Sequence, residues 1–126
     1  MEKLEMSRIV LTKKEITAIR KSVEHWDKDI IRHFRDGDTI EDHKYSPRWK
    51  NSNKLVMMFS KDCPLCRMVR ARANSSYKCE NCPYTRAYHR DCDMRGHWSN
   101  FYNNQNLAAA KLMRNALAKI IGMKCI

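Results

Sequence analysis

Two CxxC pairs, Cys63-Pro64-Leu65-Cys66 and Cys79-Glu80-Asn81-Cys82, stand twelve residues apart, and no other feature constrains this chain as tightly. Each pair can turn back so that both sulfurs face one point. Two such turns place four thiolates at the corners of a tetrahedron, the geometry of a closed structural zinc site. The alternative, disulfide bonding, belongs to oxidising compartments. Residues Met1 to Met6 alternate charged and apolar side chains, with neither the apolar core nor the cleavage site of a secretory signal. No apolar run reaches the ~18 residues that span a bilayer, and neither end carries a lipidation signature. The expected location is the cytoplasm, where paired CxxC motifs hold metal. One Zn2+ per chain on Cys63, Cys66, Cys79 and Cys82 is therefore the expectation, with a four-thiolate iron–sulfur cluster as the alternative.

The ligand list has competitors. Pro83 follows Cys82, and His89 and Cys92 offer a further pair of similar spacing, either of which could replace one of the four cysteines. Read otherwise, Cys92 is a small buried hydrophobe. Cys125, beside the C-terminus, reads as a free thiol, and His97 as a packing or surface residue. His25, His33 and His43 lack clustered partners and read as solvated or partly buried. A catalytic zinc keeps an open position and recruits His or carboxylate ligands. Four thiolates close the site. The chain has no HExxH, no deaminase signature and only three glycines, too few for most phosphate-cradling loops. Nothing in the sequence supports an enzyme.

The formal charge of +11 is unevenly spread. Residues 1–62 hold 14 Lys and Arg against 11 acids, whereas residues 63–126 hold 11 against 3. Such asymmetry points to a polyanionic partner or, more plainly, to a well-solvated surface. The segment between the knuckles carries Arg67, Arg70, Arg72 and Lys78 without an acid, and Arg86 and Arg90 follow. Arginine forks suit phosphates and guanine edges. Tyr77, Tyr84 and Tyr88 are interleaved with them, the combination that single-stranded nucleic acid binding uses. The same tyrosines could instead pack over a knuckle that has little core of its own. An acidic protein surface would also answer to this charge. The acids from Asp27 to Asp42 match no calcium loop and read as a solvated helix face and linker.

The flanks read as helices, so the fold class is α-rich, with α+β still open. Thr12-Lys13-Lys14-Glu15 is a capping box. It opens a long helix whose apolar stripe is Ile16, Ile19, Val23, Trp26, Ile30 and Phe34, with Gly37 as its stop. Ser7 to Leu11 could form a short strand. Trp49 is a candidate core plug, and Leu55 to Phe59 could be a strand or one helical turn. Residues 99–106 read as a polar connector. A final Ala-rich helix runs from about Asn106 to Ile121, with Leu112, Ala116 and Ile120 on one stripe, Met113, Leu117 and Ile121 on the next, and Gly122 as its cap. One domain is expected: a helical part over 1–62, a zinc module over 63–95 and a C-terminal helix over 96–126.

The Trp26-bearing helix, the Cys63–Cys66 knuckle, Cys79 to Pro83 and the further Cys92 together resemble a loose group of small bacteriophage-encoded zinc-binding proteins. The resemblance covers about the middle third of the chain plus one helix. It implies a phage or mobile-element origin and the metal ligands, and it carries no activity. The sequence thus leads first to a non-catalytic, zinc-stabilised basic protein that binds nucleic acid or a nucleic-acid machine. Behind it stand a host-interaction protein, inhibitor or adaptor, and then a small zinc-containing nuclease.

Overall fold

The capping box forms as the residue types require. The Thr12 hydroxyl accepts the Glu15 N–H at 3.1 Å and the Glu15 carboxylate accepts the Thr12 N–H at 2.9 Å. The computed structural model describes residues 6–41, 46–59, 62–72, 82–89 and 96–123, and of residues 70–72 the backbone only. From the box, α1 (Lys13–His25) passes without a break in helical dihedrals into a π-helical segment (Trp26–Ile31) and then α2 (Arg32–Arg35). The single regular helix expected here is therefore wider in its middle. The Arg32 N–H bonds back to the Asp27 carbonyl, five residues earlier. A π turn takes in one residue more than an α turn. That extra residue lets the neighbours Ile30 and Ile31 both bury completely, alongside Trp26. The rod ends in a Schellman motif: the Gly37 N–H reaches Phe34 O, the Asp38 N–H reaches His33 O, and Gly37 supplies a φ of +87°.

A two-residue antiparallel ladder follows, β1 (Ile40–Glu41) against β2 (Arg48–Trp49), pairing Ile40 with Trp49 and Glu41 with Arg48. Leu55 makes one further bridge to Arg48, and residues 56–59 that follow join neither a strand nor a helix. Trp49 plugs the core as expected. It stacks on His33 with ring centroids 4.3 Å apart and meets Phe34 edge-on at 5.1 Å. Asp38, expected to be solvated, is buried and accepts the backbone N–H groups of Thr39 and Asn51, which ties the loop to the rod.

The remaining elements are α3 (Pro64–Arg72), α4 (Pro83–Tyr88), α5 (His97–Asn104) and α6 (Leu107–Ile120). The helix-rich architecture agrees with the sequence expectation, but α5 replaces the polar connector. Its residues are weak helix formers, each costing a few tenths of a kcal/mol. Full burial of Phe101, edge-on to Trp26 at 5.1 Å, contributes about 1.5–3 kcal/mol, of the same order as their summed cost. Asn106 caps α6 by accepting the Ala109 N–H. Gly122 ends α6 in a second Schellman motif.

Helix α6 packs against α1, the π segment, α4 and α5, and its small side chains Ala109, Ala110, Ala116 and Ala118 are all buried in that position. The stripe centres on Ala110, Met113 and Leu117. Leu112, placed on the apolar stripe by spacing, is 45% exposed, and Arg114 is buried in its place. Residues 6–12 form no strand. They run as a strap over α4, where the Ser7 N–H bonds to Ala87 O at 2.7 Å.

Candidate functional site

Both described knuckle cysteines that precede a proline stand at the same place in the chain, one residue before a helix. The Cys63 carbonyl accepts the Arg67 N–H and opens α3. The Cys82 carbonyl accepts the Arg86 N–H and opens α4, with each bond 3.0 Å long. Proline fits the first helical position because its missing N–H has no partner there to lose. The Cys-Pro step therefore sets each cysteine at a helix start, where unpaired backbone N–H groups point outward and favour negative charge.

Cys63 is the ionisable one. Hydrogen bonding from the Cys66 thiol, against burial that pushes the other way, brings its thiol down to about 6, and the Cys66 backbone, Ser22 and the Leu65 backbone act in the same direction. Ser22 links the turn to α1: it lies fully buried, accepts the Leu65 N–H at 3.0 Å and sits 3.7 Å from the Cys63 sulfur. A sulfur ionised near neutral pH and a second sulfur one turn away are the donor chemistry of half a thiolate metal site. Cys66 and Cys82 are both buried, and Cys63, Cys66 and Cys82 form no disulfide. Among the described residues no three His, Cys, Asp or Glu side chains come together around one point. Cys79 and Cys92 lie outside the described residues, so the full four-sulfur set is not on view.

The substitute ligand His89 is exposed, has a left-handed φ of +59°, and its Nε2 lies 2.7 Å from the Ser7 hydroxyl. His97, read as a packing or surface residue, is buried and packs. Its backbone N–H donates to the Tyr84 hydroxyl, which in turn bonds the His97 Nδ1. Burial lowers its pKa to about 4, so the ring is neutral.

The expected binding residues divide. Tyr84 and Tyr88 are buried, so neither ring face is open to a base. They tilt against each other at 4.8 Å, and the Tyr88 hydroxyl donates to Ala116 O, with its pKa pushed up to about 12 by burial. Arg86 is committed to the fold: it pairs with the buried Glu15 carboxylate at 3.1 Å and donates to Val10 O at 3.2 Å. Arg67 is exposed. The side chains of Arg70 and Arg72, and all of Tyr77, Lys78 and Arg90, fall outside the described residues.

Three cations join Arg67 that the reading of residues 67–78 missed. A groove of about 670 Å³ runs between α1 and α3, and Lys13, Lys14 and Lys21 line it together with Arg67. Thr17 adds a hydroxyl, and Ala18, Pro64 and Met68 complete the lining. The available signal was Lys13-Lys14 in the first turn of a helix, where cations oppose the dipole.

No helix among the described residues is long and apolar enough to cross a membrane. Comparison with protein-family models, with curated proteins and with solved structures finds no match.

Proposed function

We propose that this chain is a non-catalytic, zinc-stabilised basic protein that binds nucleic acid. The observation that carries the metal is the Cys63–Cys66 turn. Two sulfurs share one helical turn, and hydrogen bonding with the other sulfur and with Ser22 brings the thiol pKa of one of them down to about 6. A thiolate is the form that ligates zinc, and a turn already ordered around it lowers the cost of binding. Cys79 and Cys82 complete the proposed site, with His89 or Cys92 as possible replacements for one of them. Zinc would fix the Arg-rich residues 67–78 between two anchored turns. Tyr84, Tyr88 and Arg86 are left out of the proposed binding surface, because packing and ion pairing already occupy them.

Nucleic acid is the proposed partner because the charge excess lies in residues 63–126 and Arg67 stands exposed at its start. Elemental analysis of purified protein should find about one zinc per chain. Content well below that, without iron, overturns the metal. Binding to a mixed-sequence oligonucleotide should weaken steeply as salt rises, since the contacts release counterions from phosphates. Absence of binding at low salt overturns the partner.

A further inference from the structure

We infer that the groove between α1 and α3 is the seat of the nucleic-acid backbone, with Lys13, Lys14, Lys21 and Arg67 holding phosphates; the inference rests on the nucleic-acid reading above. Its lining supplies two turns of α1 and the first turns of α3. Among the described residues every charged group in that lining is a cation, and the only other polar side chain is the Thr17 hydroxyl. The groove therefore presents hydrogen-bond donors to an acceptor, which is what a phosphodiester offers. No aromatic ring among the described residues lines it, so these residues give a base nothing to stack on. Recognition by phosphate alone positions a nucleic acid without reading its sequence.

Two further observations set these cations apart from an ordinary solvated helix face. None of the four makes an ion pair with an acid among the described residues, although α1 carries acids. The acid nearest in sequence, Glu15, is turned away from them. It is 1% exposed, with its carboxylate spent on the Thr12 N–H and on Arg86. The start of α1 thus shows only positive charge to solvent. Lys13 and Lys14 also occupy the helix turn where cations are least favourable. Their presence there opposes helix stability, and a polyanion in the groove would offset that.

The groove is continuous with the segment proposed for binding. Arg67 belongs to both, and the helix that carries it continues through residues 70 and 72. An acidic peptide is the competing occupant. The donors would serve it too, but a peptide backbone also brings N–H donors, and among the described residues of this lining only the Thr17 hydroxyl could accept one.

The test is the salt dependence of binding to a mixed-sequence DNA oligonucleotide, single-stranded and duplex, by the full chain and by a Lys13→Gln, Lys14→Gln, Lys21→Gln variant. Each phosphate contact contributes about 0.9 to the slope of log affinity against log salt on a duplex and about 0.7 on a single strand. Loss of three contacts should flatten the slope by about two to three and weaken binding at moderate salt by at least about tenfold. The melting temperature should hold or rise, because two cations leave an unfavourable helix end. Single Lys21→Gln, and a triple Lys→Arg variant expected to keep the slope, preserve the test if the triple Gln chain folds poorly. A wild-type chain that binds while the Gln variant matches it in slope and affinity overturns the groove and leaves the nucleic-acid reading standing. A wild-type chain that binds no oligonucleotide at low salt overturns both. Displacement of the oligonucleotide by polyglutamate as readily as by unlabelled DNA, at equal charge, reassigns the groove to an acidic protein and overturns the inference.

Discussion

Burial holds the His97 imidazole neutral, and this couples one residue to the stability of the fold. Its Nδ1 is hydrogen-bonded to the Tyr84 hydroxyl, and its folded pKa is about 4 against an ordinary 6.5. Above pH 6.5 the ring is neutral in both states and contributes no pH dependence. Between 6.5 and 4 the unfolded chain takes up a proton that the folded chain refuses, so stability falls as pH falls. The full loss is about 3 kcal/mol. Thermal melts across that window should steepen for the wild type relative to His97→Gln, and parallel profiles would show the ring to be solvated. Tyr84 and Tyr88 carry the same lesson. A tyrosine among arginines looks from the sequence like a stacking platform, and it becomes one only if the fold leaves a face open. Here α4 turns both rings inward against His97 and α6.

At the scale of elements, the π segment decides how the long rod meets α6. It presents Asp27 to Arg114, whose guanidinium lies 2.6 Å from the carboxylate. The two partners differ in burial: the Arg114 side chain is 3% exposed and that of Asp27 45%. Removing them should therefore have unequal effects. Asp27→Ala leaves a buried cation without its carboxylate and should cost about 3 kcal/mol. Arg114→Met leaves an aspartate that water can solvate and replaces a buried charge by an apolar chain of similar length, so it should cost less than about 1.5 kcal/mol. Chemical denaturation of both variants checks the asymmetry, and equal losses would contradict it. The capping box shows a similar division of labour. Its Glu15 reads from the sequence as a local cap, and the fold adds a second duty by closing the same carboxylate onto Arg86 of α4.

For the whole molecule, the proposed metal is expected to act through stability. Structural zinc supplies folding free energy, because the unfolded chain has no preformed site. The described cysteine turns open α3, which packs on α1, and α4, which packs on α6, so loss of the proposed site should be felt globally. Chelation, or Cys79→Ser, should lower the melting temperature by several degrees at least, read by circular dichroism. An unchanged melt would mean that α1, α5 and α6 hold the core alone. Lys13→Gln and its companions make the opposite prediction, weaker binding without loss of stability, so the two roles separate experimentally.

Local chemistry alone determined much of this protein. Thr12, Glu15, Asn106, Gly37 and Gly122 start and stop helices through bonds to backbone within a few residues, so their roles follow from spacing. The Cys63–Cys66 turn is legible for the same reason, since both sulfurs lie on one short segment. What the tertiary structure decided are the properties that depend on distant partners. Phe101 makes α5 helical because Trp26, far off in sequence, offers it a buried edge. Leu112 gives up the buried stripe and Arg114 takes it because Asp27 is there to meet the charge. Arg86 leaves the cationic surface because Glu15 claims it, and Lys13, Lys14 and Lys21 join Arg67 because α3 packs along α1. Periodicity assigns a residue to a side of its own helix. Whether that side meets core, counter-charge or solvent depends on an element that the periodicity does not contain.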